Sequence, residues 1–482
     1  MLLIDSTQKQ KVMKRFVQLL FFVLITSAVL AQGKAKYVFY FIGDGMGVNQ
    51  VNGTEMYLAD ANEGRIGIIP LQFTQFPVIN LATTFSTRNS VTDSSAAGTA
   101  LATGSKTYNG AIGVGDNKER LTSVAELAKK AGKKVGITTS VSIDHATPSA
   151  FYAHQPDRNM AYEIAMEIPA SNFDFFAGGG FVKPTTTFDK KEAPSIFDAF
   201  EGAGYTVAKG YDDYKAKAAS AKKMILMQTE GANPGSIPYV LDRKEGDLTL
   251  PQITEAAISI LTKDNKKGFF LMVEGGMIDW ACHSGDAATA FAEVVDMDDA
   301  IKIAYEFYKK YPKETLIVVT ADHETGGMAL GKGNGYYMNL KALKYQKQSL
   351  GALSDRIKEL RKQKDHKVTW EEIKGLLGET MGFWKELPIS WEHEKILRDS
   401  YEQSFSAKAN VAMEASMYTQ SEPLAARAKE VINDIARVGW ISSDHSASYV
   451  PIYAIGAGSE LFKGKMDNTD IPKRIAKAGG YN

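Results

Sequence analysis

Hydrophobic positions in this chain gather in short, nearly unbroken runs, each leading into polar residues. "YVFYFIG" precedes Asp44, and "KVGITTSVS" precedes Asp144 and His145. "GFFLMVEGG" carries Glu274, and "TLIVVTADHETGG" ends in Asp322 and His323. Continuous apolar runs of this kind predict strands buried on both faces, as in a parallel sheet. Helical stretches lie between them, such as "LTSVAELAKKAG" and "AFAEVVDMDDAIKIAYEFYKKY". The alternation predicts an α/β fold, a three-layer sandwich whose large, mostly parallel central sheet is covered by helices on both faces. Ligands of such sheets collect at the carboxyl ends of the strands, where all the polar residues just named stand.

The pattern changes between about Gly331 and Gly439, a stretch rich in Lys, Glu and Gln. "TWEE", Thr369 to Glu372, fits a capping box. "SEPLAARAKEVINDIARVG" has proline near a helix start and glycine after its end. These features predict a helical insertion, 331–440, within one α/β domain covering 32–482. His366 and His393 of the insertion read as solvated rather than functional.

At the N-terminus, Lys14 and Arg15 precede "FVQLLFFVLITSAVLA", and Val29 and Ala31 fit a cleavage site before Gln32. That is the form of a secretory signal peptide over residues 1–31. Its apolar run is shorter than the ~20 residues of a membrane span. The expectation is export to the periplasm or medium, with no stable membrane insertion after cleavage. One cysteine, Cys282, allows no internal disulfide, although the predicted compartment is oxidising. The formal net charge is zero, which lacks the basic footprint of a nucleic-acid binder.

Of seven histidines, His145, His283, His323 and His445 lie beside or near acidic residues. In "EGGMIDWACH", Asp279 and His283 stand four apart, which on a helix places both on one face. "TADHETGG" sets Asp322 beside His323 at a strand end, and "SSDHSASY" repeats the pairing with Asp444 and His445. "IGDGMG" adds Asp44 among glycines that permit close approach. Carboxylates with imidazoles suit zinc, and oxygen-only sites suit magnesium. "VTDSSAAGTALATG" places Ser94 and Ser95 at the start of a small-residue helix. The bland reading is an N-cap. The chemical reading is a serine at a phosphate-binding helix terminus, activated by metal for in-line phosphoryl transfer.

Six motifs, "IGDGMG", "VTDSSAAGTALATG", "HATPSAFYAHQPDR", "VEGGMIDWACH", "VVTADHETGG" and "SSDHSASY", stand in the order seen in alkaline phosphatases, which the chain resembles from about Tyr37 to Tyr453, the insertion apart. The resemblance implies hydrolysis of small phosphate monoesters through a covalent phosphoserine, with two Zn2+ and one Mg2+. It implies Asp279, His283 and His445 as ligands of one zinc, and Asp44, Asp322 and His323 as ligands of the other. Asp44 is shared with a magnesium site that includes Thr147 and Glu274. Ser94 matches the nucleophile and Arg158 the phosphate-gripping arginine. Family members are commonly homodimers.

Two positions depart from the enterobacterial pattern. His145 stands where those enzymes have aspartate, as in mammalian and some marine members, and neighbours the third metal site. Trp280 stands where they have lysine, on the substrate-binding side. Such changes weaken a tight magnesium site and remove one positive contact to phosphate. Cys282 is expected to be buried and to face away from Asp279 and His283. Ser95, turned by about 100° from Ser94, is expected to miss the metal. Two other readings remain: a phosphodiesterase of the same superfamily, and an inactive exported metal-binding protein. A sulfatase is disfavoured, because "TDSSAAG" lacks the proline and arginine of the sulfatase motif.

Overall fold

The computed structural model describes residues 34–365, 367–405, 411–418 and 420–481; segment 1–31, read as a signal peptide, and His366 lie outside these. Ten strands form one sheet: β1 (Tyr37–Gly43), β2 (Val78–Thr83), β3 (Lys134–Thr139), β4 (Phe175–Gly178), β5 (Tyr205–Lys209), β6 (Lys223–Met227), β7 (Phe269–Gly275), β8 (Thr315–Ala321), β9 (Val450–Gly456) and β10 (Met466–Asp467). Their order is β10-β2-β9-β8-β1-β7-β3-β4-β6-β5. β9 runs antiparallel to both neighbours, and the other pairs are parallel.

The four apolar runs of the sequence are β1, β3, β7 and β8, which are adjacent at the centre. Every residue of β1, β7 and β8 is buried. That is why these strands carry no alternation: neither face meets water. Register then places the chemistry. Gly43 of β1 pairs with Ala321 of β8, so Asp44 and Asp322 leave the sheet side by side. Ile42 pairs with Glu274 of β7, which brings that carboxylate to the same edge.

Helices flank the sheet, among them α1 (Val48–Glu63), α2 (Ser94–Thr103), α3 (Leu250–Thr262), α4 (Met277–His283) and α5 (Ala287–Lys310). Between residues 331 and 440 lie α6 (Leu350–Gln363), α7 (Trp370–Met381), α8 (Trp391–Phe405) and α9 (Pro423–Ala436). They build a second apolar cluster around Leu353, Ile357, Ile373, Leu377 and Leu397, against Ala287 and Phe291 of α5. The Thr369–Glu372 capping box is present at the start of α7.

As expected, proline opens α9 and a glycine, Gly439, follows its end; the residue in the left-handed conformation is Arg437, with φ of 64°. Its guanidinium lies 4.4 Å from the Tyr337 ring centroid and donates to the Asn334 carbonyl. One expectation for this region is corrected: His393 is not freely solvated, since its Nε2 lies 3.0 Å from the Asp434 carboxylate and its side chain is 18% exposed. The pair ties α8 to α9. Among the described residues, no helix is long and apolar enough to cross a membrane.

Candidate active site

Asp93 caps α2, accepting from the backbone N–H of Ala96 at 2.9 Å through Oδ1. Its second oxygen accepts from the Gly110 N–H at 2.9 Å and faces Arg158 Nη1 at 3.4 Å. Ser94 is the first residue of the helix and is fully buried. Its Oγ lies 3.1 Å from His323 Nε2. Ser95 Oγ points elsewhere, buried and without a hydrogen-bond partner among the described residues. The next turn explains the difference, since a step of about 100° carries one hydroxyl away from the other.

Around Ser94 the strand ends converge. Asp44 and Asp322 leave β1 and β8, and Asp279 and His283 share one face of α4. His445 arrives from a two-residue strand, His445–Ser446, paired with Glu324–Thr325. Asp444, its neighbour in sequence, is exposed and does not join. Three groups have ligand atoms within 4.8 Å of one another: Asp279, His323 and His445; Asp44, Asp322 and His323; and Asp44, His145 and Glu274. His283 completes the first group, with Nε2 3.3 Å from Asp279 Oδ2 and 3.1 Å from His445 Nε2. Thr147 Oγ1 donates to Asp44 Oδ2 at 3.2 Å.

Hydrogen bonds on the far side of each ring fix its tautomer. His283 Nδ1 faces the Ser443 carbonyl, and His445 Nδ1 lies 2.8 Å from the Thr92 carbonyl. A carbonyl only accepts, so both Nδ1 atoms carry the proton. Thr325 Oγ1 donates to Asp279 and lies 3.2 Å from His323 Nδ1, which therefore donates to it. In their neutral form all three rings thus present a bare Nε2 to the cluster. There they face carboxylate oxygens that, when ionised, also only accept. His323 Nε2 is 3.3 Å from Asp44 Oδ1 and 3.2 Å from Asp322 Oδ2. Asp44 Oδ1, Asp279 Oδ2, Asp322 Oδ2 and Glu274 Oε1 are buried with no hydrogen-bond donor among the described residues.

Buried acceptors packed against acceptors repel, and each costs free energy unless a cation lies between them. The donor set of imidazole and carboxylate fits a divalent metal of the zinc type at the two histidine-containing groups. Around Asp44, Thr147 and Glu274 the oxygen-rich set fits a harder cation. Burial, then the charges of neighbouring carboxylates, raises Asp44 and Asp322 well above the ordinary range. Burial likewise pushes Glu274 up to about 7.

Arg158 lies beside this cluster. Its Nη2 donates to His145 Nε2 and to the Tyr418 hydroxyl, each at 3.2 Å. Burial first, and then Arg158, push His145 down to about 3, so the ring is neutral and can accept. Trp280 stacks on Tyr418, with ring centroids 4.7 Å apart and planes 15° apart. These four residues line a cavity of about 550 Å³ with Asp93, Asp144, Asn159 and Lys183. Cys282 is fully buried, with Sγ 3.9 Å from Gln50 Nε2.

Sequence reasoning missed two side chains of this site. Thr325 bridges Asp279 and His323, and Tyr418 reaches Arg158 from the segment between α8 and α9. The threonine stood inside "TADHETGG" unremarked. Nothing in "SMYTQ" marks the tyrosine.

The alkaline phosphatase family profile matches residues 35–176 and 195–481. Alkaline phosphatase 3 of Bacillus subtilis (strain 168) is 32% identical over 469 residues, covering 94% of this chain and 90% of its own. Among solved structures, a cold-active alkaline phosphatase from a psychrophile, Shewanella sp., aligns with a TM-score of 0.76 at 28% identity, covering 92% of this chain and 99% of its own. A histidine-to-glutamate mutant of TAB5 alkaline phosphatase, with Mg bound in its M3 site, aligns with a TM-score of 0.63 at 28% identity, covering 93% and 99%. A metal-suited cluster at the carboxyl edge of a ten-stranded sheet, a serine at a helix terminus beside it, and these likenesses along nearly the whole chain agree: the chain belongs to the alkaline phosphatase family.

Proposed function

We propose that the protein is an exported phosphomonoesterase that works through a phosphoserine on Ser94. One observation carries the reading. Three imidazole nitrogens cluster with carboxylate oxygens, four of them buried without a partner among the described residues, and one of the imidazoles, His323, lies 3.1 Å from the buried Ser94 hydroxyl at a helix N-terminus. One zinc would be held by Asp279, His283 and His445, and the other by Asp44, Asp322 and His323. Magnesium would be held by Asp44, Thr147 and Glu274, with His145 beside it. The TAB5 enzyme, whose histidine-to-glutamate mutant has Mg in its M3 site, supports a third site of this kind. Held there, such cations would offset the carboxylate charge and would supply Lewis acidity for phosphoryl transfer.

The chain's own groups do the rest. Arg158 takes oxygens of the phosphoryl group, with Asp93 holding its Nη1. The free N–H groups and positive end of α2 favour the same dianion. Ser94 Oγ attacks phosphorus, the ester P–O bond breaks, and the alcohol departs. Water then cleaves the phosphoserine, releasing inorganic phosphate and restoring the hydroxyl. The cavity beside Arg158 and Trp280 receives the organic part of the ester. No nucleic-acid-specific surface is invoked, and the active form is a homodimer, as is common in the family.

Comparing turnover of nitrophenyl phosphate with that of its methyl diester tests the substrate class. A monoesterase gives much the higher kcat/KM on the monoester. An equal or higher rate on the diester points to the phosphodiesterase reading instead.

A further inference from the structure

Among the described residues of 331–440, Tyr418 is the one that hydrogen-bonds Arg158. It lies in the turn of a short hairpin whose strands are Glu414–Ala415 and Gln420–Ser421. Its ring is fixed by the stack on Trp280 and by edge contact with His283, at 5.3 Å between centroids. Its hydroxyl accepts from Arg158 Nη2 at 3.2 Å.

The geometry of a guanidinium gives this contact a consequence. The group has five N–H donors in two forks, one formed by Nε and Nη2 and the other by Nη1 and Nη2. Nη2 belongs to both forks and has only two hydrogens. His145 Nε2 takes one and the Tyr418 hydroxyl takes the other. A pair of phosphate oxygens gripped in either fork requires one of them. An acceptor therefore has to yield when phosphate binds. His145 is the N-cap residue of the buried turn Ala146–Ser149, and its backbone is bonded at both N–H and carbonyl. The Tyr418 hydroxyl makes one hydrogen bond among the described residues, to Arg158, so a slide of its ring along the Trp280 face is the displacement that leaves the fewest groups unpaired.

We infer that Tyr418 sets the affinity of the site for the phosphoryl group by competing with it for Arg158 Nη2. The phenol occupies a fork hydrogen that phosphate takes over on binding, and it reclaims that hydrogen as inorganic phosphate leaves. This rests on the reading of Arg158 as the phosphate grip. The stack on Trp280 keeps the phenol at hand throughout, because displacing the hydroxyl does not require separating the rings.

Tyr418→Phe keeps the ring and removes the competing oxygen. In the zinc- and magnesium-loaded protein, the inhibition constant of inorganic phosphate and the KM for nitrophenyl phosphate should both fall, by about two- to tenfold for one hydrogen bond. kcat should stay level or fall as product is held longer, which splits KM from kcat in a way that loss of structure would not. The effect should vanish when Arg158→Ala is present as well. A phosphate constant that is unchanged or weaker in Tyr418→Phe, while Arg158→Ala alone weakens it strongly, overturns the competition. A phosphate constant indifferent to Arg158→Ala shows instead that the arginine is not the grip.

Discussion

Replacing Asp93 separates two jobs that one carboxylate performs. Oδ1 caps α2 through the Ala96 N–H, and Oδ2 serves the Gly110 N–H and Arg158 Nη1. Asparagine caps helices as well as aspartate does, so Asp93→Asn can keep its oxygen on Ala96. Its amide nitrogen then faces two donors, Gly110 N–H and the guanidinium. The lost contact to Arg158 is charge-assisted but long at 3.4 Å. Its worth is therefore at the low end of the range for charged hydrogen bonds, about 1.5 kcal/mol, or roughly tenfold in affinity. Losing the acceptor for Gly110 adds about 1 kcal/mol to the stability cost. Asp93→Ala gives up the cap too, for about 1 kcal/mol more. The assay is paired: thermal unfolding of the metal-loaded protein, and competitive inhibition of nitrophenyl phosphate turnover by inorganic phosphate. Asp93→Asn should weaken phosphate about tenfold with a small loss of stability. Asp93→Ala should weaken phosphate similarly and unfold more easily. Parent-like phosphate binding in Asp93→Asn, or lower stability in Asn than in Ala, would refute the division of labour.

Two further predictions concern the metal cluster. Thr325→Val removes the hydroxyl that orients Asp279 and His323, and zinc affinity, read by competition with a chromogenic chelator, should drop by roughly ten- to a hundredfold; unchanged affinity would mean that packing alone orients the ligands. In metal-stripped protein, Asp44 and Asp322, raised by burial, and Glu274, raised to about 7, hold protons that the unfolded chain releases near pH ~4. Because the folded state binds more protons at these groups, their contribution to stability is lost as pH rises toward the folded values. His145, pushed down to about 3, and His323, also depressed by burial, act in the opposite sense below pH ~6.5, so the carboxyl effect shows above it. The midpoint of thermal unfolding should thus fall between about pH 6.5 and pH 8 without metals and change much less with them; a flat profile in the stripped protein would contradict this.

Legibility in the sequence followed burial and spacing. β1, β3, β7 and β8 were readable because strands covered on both faces leave continuous apolar runs. β2 was not singled out: with Ile79 and Leu81 exposed and Val78 and Ala82 buried, its apolar residues do not report a single face. The ligand candidates stood out through local pairings such as Asp279 with His283. Such pairing also misled, since Asp444 beside His445 is exposed. Tyr418 was invisible because its role depends on a contact 260 residues away in sequence, with Arg158. Nothing in the sequence marked Arg437 as the left-handed residue after α9, since its ring and carbonyl partners come from Tyr337 and Asn334, about a hundred residues away.

The central claim is that Ser94 becomes phosphorylated in turnover. Acid-quenching the metal-loaded enzyme with excess phosphomonoester, then mapping phosphopeptides by mass spectrometry, tests it most directly. The account predicts phosphate on Ser94 and none in Ser94→Ala, which should also lose the bulk of its turnover. Phosphate on Ser95, or full turnover by Ser94→Ala, would contradict it.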